Sequence, residues 1–192
     1  MGSKVSRVND IAILKKMLSE GSKVQPQKVE ERASVILKDK QGKTTVEIME
    51  LPDNSIVIKP DFFKSPNFLK SLKGQRKRAD FAIISNVKGE KWIICIETQR
   101  KTRKDREEVE QQLRGAQCLI GYCKCIGKSF WQSKKFLDGY QYRFVSIVNI
   151  NIDKQTTRFY KSENQPRTKL HDSPEDFREI QGHQSLHFNQ LT

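Results

Sequence analysis

Apolar positions along the chain change period several times, and each change predicts an element. Between Val8 and Glu20 they recur as Ile11, Leu14, Met17 and Leu18, one face of a helix, with Ser6 or Asn9 placed to cap it and Gly21 to end it. After a polar linker at Pro26, Ala33–Leu37 and Thr44–Leu51 read as strands around a glycine-containing turn, and Pro52-Asp53-Asn54 turns the chain into a third, Ser55–Lys59. The three predict an antiparallel meander with one polar face. Phe81–Val87 and Trp92–Ile96, separated by Lys88-Gly89-Glu90, predict a hairpin. Helical spacing returns over Arg106–Tyr122, where Val109, Leu113, Ala116 and Ile120 face one way and Glu107, Glu108 and Glu110 suit the helix dipole in the first turns. Tyr140–Asn151 is the last clear strand, expected to lie parallel to a core strand after the helical crossover. Helices and strands in this order predict an α/β fold in one domain, with a core at about 44–152 and a polar C-terminal extension over 161–192. In that extension Ser173-Pro174-Glu175-Asp176 has the look of a helix start, and His183 and His187 are spaced to share a helix face.

The hairpin carries the candidate chemistry. Asp80 opens its first strand, and Glu97 and Gln99 close its second. In an antiparallel pair the start of one strand lies beside the end of the next, so Asp80 and Glu97 should meet at one edge of the sheet. Alternation puts Glu97 and Gln99 on one face while Thr98 points away. Two carboxylates at one point suit a hard divalent cation such as Mg²⁺, or Mn²⁺ in its place. They are equally compatible with ordinary strand-end acids facing water.

Charge adds a partner to this picture. The 192 residues hold 36 Lys plus Arg against 23 Asp plus Glu, a formal net charge of +13, which favours polyanions: nucleic acid first, an anionic membrane second. No segment is apolar for long enough to span a bilayer, no signal-peptide core is present at the N-terminus, and no basic amphipathic helix supports membrane binding. An intracellular, cytoplasmic protein is expected. The bases concentrate on both sides of the candidate acids. Lys73, Arg76, Lys77 and Arg78 precede Asp80 in a segment that also holds Phe62, Phe63 and Phe68, its aromatics expected inside and its lysines outside, with a short helix at Pro66–Lys73. Arg100, Lys101, Arg103 and Lys104 leave the end of the Glu97 strand directly. A further basic loop, Lys124–Lys135, carries Phe130 and Trp131. The cysteines Cys95, Cys118, Cys123 and Cys125 have no CxxC spacing and read as free thiols, with a zinc site from the last three and a distant His as the alternative.

Asp80 followed by Glu97-Thr98-Gln99 resembles the motif of the PD-(D/E)XK nuclease superfamily, in which an Asp opens the second core strand and an acid-x-Lys triplet closes the third. Ala79 stands where that motif has Pro, and Gln99 where it has Lys, a replacement that some restriction enzymes of the superfamily share. The resemblance covers about Thr44 to Ile152 and implies a restriction-endonuclease-like αβββαβ core, a central mixed sheet flanked by helices. It implies a Mg²⁺-dependent endonuclease, with Asp80, Glu97 and the Thr98 carbonyl as metal ligands and Gln99 orienting water or touching the phosphate. A 3′-hydroxyl product and DNA rather than RNA as substrate follow from the same resemblance; whether two copies pair as a homodimer to cut both strands is left open by the sequence. Glu20, on the first helix, is an accessory acid by that analogy or a solvated surface residue. Gln112, Gln117 and Tyr122 on the long helix are accessory polar groups or plain helix-surface side chains. The alternative of a different class is a nuclease-like module that binds nucleic acid or assembles without cutting, since an amide at 99 cannot supply the charge of a lysine.

Overall fold

The computed structural model describes residues 9–29, 32–39, 44–64, 67–70, 72–87, 89–99, 105–148, 150, 170–181 and 185–192. Two mixed sheets and two helices form three layers of an α/β fold. Helix α1 spans Asp10–Met17, with Asn9 Oδ1 accepting the Ile11 N–H at 3.0 Å as its cap. It ends at Leu18, earlier than its apolar spacing predicts, and the chain turns through a 3₁₀ segment, Glu20–Ser22. Strands β1 (Lys23–Val24), β2 (Gln27–Val29), β3 (Arg32–Asp39), β4 (Thr44–Met49) and β5 (Ser55–Ile58) follow. Then come β6 (Phe81–Val87), β7 (Glu90–Thr98), α2 (Arg106–Phe130), β8 (Gln141–Val148), β9 (Arg178–Gln181) and β10 (Ser185–His187).

The larger sheet has the order β1-β5-β6-β7-β8-β9, antiparallel from β1 to β7 and parallel from β7 to β9. Its central strands are buried on both faces, which explains their continuous apolar runs. One face packs on the helices: Ile11 and Leu14 of α1 and Val109, Leu113, Ala116 and Ile120 of α2 meet Ile58, Ala82, Ile84, Ile93, Cys95 and Phe144. The opposite face packs on the smaller sheet, β10-β4-β3-β2, where Val35, Leu37, Val46, Ile48 and Leu186 meet Val57, Phe81, Ile83, Ile94, Ile96 and Val145. Both helices therefore lie on one side of the larger sheet, and strands cover its other side.

Several sequence expectations change here. The predicted meander divides: β3 pairs with β4 in the smaller sheet, while β5 crosses to the larger one and pairs with β6. Helix α2 runs on to Phe130, so most of the predicted basic loop at Lys124–Lys135 is helical. Its turns continue because Cys123 and Gly127 extend the buried face beyond Ile120. The predicted helix at Pro66–Lys73 is absent among the described residues, which form turns and bends. In the C-terminal stretch, Pro174–Asp176 is a single 3₁₀ turn capped by Ser173, and His187 ends a strand, its Nδ1 3.1 Å from Glu50 Oε2; His183 lies outside the described residues. Residues 170–192 thus supply two strands and bury Phe177, Leu186, Phe188 and Leu191, where a polar extension was expected. The zinc alternative fails on direction: Cys123 points into the helix-side core while Cys118 and Cys125 are exposed. Among the described residues no helix is long and apolar enough to cross a membrane.

The C-terminal stretch carries a pH dependence. His171 is buried beside Leu191, whose carbonyl lies 3.4 Å from its Nε2, so a neutral ring donates there. Burial pushes its pKa below the usual 6.5, with Arg143 and Arg178 acting in the same direction against the Leu191 hydrogen bond and Asp172. A depressed folded pKa means stability that is complete above about pH 6.5 and is lost as pH falls towards the folded value. The melting temperature is expected to be flat above that pH and to decline below it. His171→Asn, which does not titrate and tolerates the left-handed backbone at this position (φ 39°), should flatten the decline. Identical acid slopes for the two proteins would show that His171 contributes nothing.

Candidate functional site

The hairpin register brings the candidate acids together. Phe81 pairs with Ile96, so the next step of the ladder sets Asp80 beside Glu97. Gly89 (φ 92°) allows the tight turn that fixes this register, with Val87 opposite Glu90. The same row continues sideways. Glu97 pairs with Ser146 on β8, and Ser146 with Glu179 on β9. By alternation with Cys95, Phe144 and Phe177, the positions Glu97, Ser146 and Glu179 belong to the helix-side face, while Asp80, just outside β6, turns its carboxylate to Thr98. They stand at the end of the sheet where β7, β8 and β9 finish and where α2 starts.

Each side chain has its own surroundings. Glu97 is fully buried, at 0% exposure. Asp80 lies just outside β6 and is partly buried; its Oδ2 accepts from the Thr98 N–H at 2.8 Å and from the Thr98 hydroxyl at 2.6 Å. Thr98 points to the other face, as alternation requires, and its Oγ1 is 2.9 Å from Thr44 Oγ1 at the start of β4. Because the Thr98 proton goes to Asp80, Thr44 donates to Thr98, and the smaller sheet is tied through two hydroxyls to the carboxylate. Gln99 is buried on the Glu97 face; its Nε2 donates to Ser146 Oγ at 3.2 Å, and its backbone N–H to the Ile147 carbonyl at 2.8 Å.

The basic segment before Asp80 connects the end of β5 to the start of β6, so topology places it at the same end of the sheet. Lys73 and Arg76 are exposed; Lys77 Nζ is 3.6 Å from Glu108 on α2, and Arg78 Nη1 donates to the carbonyls of Gln75 and Lys77. A Cβ on Gly115 of α2 would lie well under 3.0 Å from the Lys77 carbonyl oxygen, so the segment is seated on the helix at a position only glycine permits. Arg100, Lys101, Arg103 and Lys104 lie outside the described residues. Glu20 is exposed and bonded to Lys23 and Gln25, at the edge of the larger sheet and separated from Asp80 by β1 and β5. Gln112 and Gln117 are half-buried on α2 and Tyr122 is exposed. Because α2 runs back along β7, Gln112 belongs to the half of the helix near the acids and Tyr122 to the far half. Ser146 and Glu179 were not singled out from sequence. Ser146 sits in an apolar strand with no motif around it, and Glu179 lies in a stretch that reads as polar tail.

Among the described residues no three His, Cys, Asp or Glu side chains cluster as a metal cage. Comparisons of the chain with protein-family models, with curated proteins and with solved structures find no match.

Proposed function

We propose that this chain is a metal-dependent nuclease of the PD-(D/E)XK kind, cutting phosphodiester bonds in nucleic acid, with DNA favoured. The supporting observation is the register that sets Asp80 against Glu97, with Glu97 at zero exposure on a central strand. An apolar side chain would pack there at lower cost, because a buried carboxylate must recover its lost hydration. The donor set is hard: two carboxylates and the Thr98 carbonyl, with Cys95 the nearest sulfur in sequence and its thiol pushed up to about 12 by burial. Oxygen donors of this kind fit Mg²⁺ or Mn²⁺, usually held by one or two carboxylates with water and substrate phosphate completing the shell. The ion, when bound, supplies Lewis-acid activation of the phosphate and of the attacking water. Gln99 orients the water or the phosphate through the amide that otherwise donates to Ser146. Lys73 and Arg76, with the bases at 100–104, hold the backbone phosphates, and a 3′-hydroxyl product is expected. A homodimer is one arrangement that would cut both strands.

The test is cleavage of supercoiled plasmid, linear duplex and single strands of DNA and RNA in Mg²⁺, Mn²⁺ or EDTA. Wild type is expected to cut only with metal. Gln99→Lys, which restores a positive charge beside Glu97, is expected to cut at least as fast. If both proteins are inert in both metals, the nuclease reading is lost. Salt-sensitive binding that ignores metal would then leave a non-cleaving nucleic-acid module.

A further inference from the structure

The segment between β5 and β6 turns two of its three aromatics outward, against the sequence expectation. Phe68 is 82% exposed, Leu72 80% and Phe62 52%, while Phe63 is the ring that packs towards the helix-side core. Exposed rings of this size, clustered on one loop, imply a partner that covers them. The charge around them says which kind. Lys64, Lys70, Lys73 and Arg76 are exposed on the same loop, and Asp61 is the only acid between Lys59 and Arg78. The two ends of the loop are anchored. The Phe62 ring stands against Gly21, a Cβ on Gly74 would collide with the Gln111 side chain on α2, and Lys77 rests on Gly115. Its last residue leads through buried Ala79 into Asp80.

Resting on the nuclease reading above, we propose that this loop is a stacking platform for single-stranded nucleic acid, with bases on Phe68 and Phe62 and phosphates on Lys64, Lys70 and Lys73. Every base has a face that can stack on a ring, and the backbone supplies the charge that lysines track. In a duplex the same faces are already stacked on each other and the rings find nothing to cover. The platform therefore selects single strands, or strand ends and distorted sites, and feeds them to Asp80 from the β5 side.

Binding in EDTA tests this apart from cleavage, using a labelled oligothymidine of about 16 nucleotides and a duplex of the same length. Phe68→Ala removes a side chain with almost no packing role and is expected to weaken oligothymidine binding roughly tenfold while changing duplex binding less than about twofold. Its salt slope should be unchanged. Lys70→Ser/Lys73→Ser should instead lower that slope by about 1.4, two phosphate contacts on a single strand. Phe130→Ala is the control: this ring is 78% exposed at the far end of α2, and its loss should change nothing. Wild-type affinity for oligothymidine in Phe68→Ala, or an equal loss for both substrates, would overturn the platform, as would a wild type that binds neither. Ring-dependent binding without metal-dependent cutting would instead sink the nuclease reading and leave the platform standing. Cutting that is indifferent to Phe68→Ala would do the reverse.

Discussion

Glu97→Gln is expected to reduce metal-dependent cleavage by about 10³-fold, the scale of losing one preorganised electrostatic group in an active site, and to raise the melting temperature in metal-free buffer. The two effects have one cause. Glu97 is fully buried near the end of a central strand of the larger sheet, where holding a charge costs several kcal/mol. The amide has the same shape and does not carry that cost. Replacing buried ionic groups by neutral ones of similar volume is often neutral or stabilising by about 1–4 kcal/mol. For a chain of this length each kcal/mol corresponds to about 2–4 °C.

Asp80→Asn should separate from it. Asp80 is partly exposed, and its structural duty is to accept from the N–H and hydroxyl of Thr98. An asparagine carbonyl accepts both, so the fold should melt near the wild-type temperature while cleavage is lost. Metal linkage gives a readout independent of turnover. With Mg²⁺ at ten times its dissociation constant, wild type should gain about 1.4 kcal/mol, and neither variant should respond. A Glu97→Gln protein that melts several degrees lower, beside a wild type indifferent to Mg²⁺, would mean that the buried carboxylate is a structural group.

The hairpin and its acids were legible because two local rules fixed them together. Continuous apolar runs marked strands buried on both faces, and the Gly89 turn fixed their register, so the position of Asp80 opposite Glu97 in the ladder followed from counting. Sheet membership was not legible by the same means. The alternation of β4 is satisfied equally by either sheet, and only the inter-sheet packing of Val46 and Ile48 against Phe81, Ile83 and Ile94 shows where it went. The end of α2 was hidden by its glycines. Gly121 and Gly127 look like stop signals, yet Gly127 is where the Phe136 ring presses on the helix. Strands β9 and β10 pair parallel to β8 and β4, which come much earlier in the chain, and a strand of three or four half-polar residues has no periodicity to read. Phe62 and Phe68 read as inward from sequence because aromatics usually are, and only the course of the loop leaves them exposed.

Gly115→Ala should harm the site more than the fold. The new methyl would meet the Lys77 carbonyl at a distance no folded protein tolerates, with the Arg78 guanidinium 3.1 Å away. The obstacle is backbone, so it cannot be relieved by turning a side chain. Either α2 or the segment 74–79 must move, and the segment is the softer of the two because it is made of turns, while α2 is anchored on the sheet by Val109, Leu113, Ala116 and Ile120. Overpacking of this kind costs about 1–3 kcal/mol, and alanine returns roughly 0.8–1.0 kcal/mol of helix propensity. The net loss of stability should therefore be modest, a fall of a few degrees. The displacement is passed through Ala79 to Asp80, however, and a shift of about 1 Å in a positioning element can cost 10²-fold in rate. Gly121→Ala supplies the contrast on the same helix. Nothing lies within 4 Å of its Cβ position, so it should gain about 0.8–1.0 kcal/mol and leave cleavage untouched. Melting curves and metal-dependent cleavage rates on the two variants check both halves. Equal, wild-type-like rates in Gly115→Ala and Gly121→Ala would show that the seat of Lys77 on α2 does not set the position of Asp80, and that its bonds to Thr98 hold the acid without it.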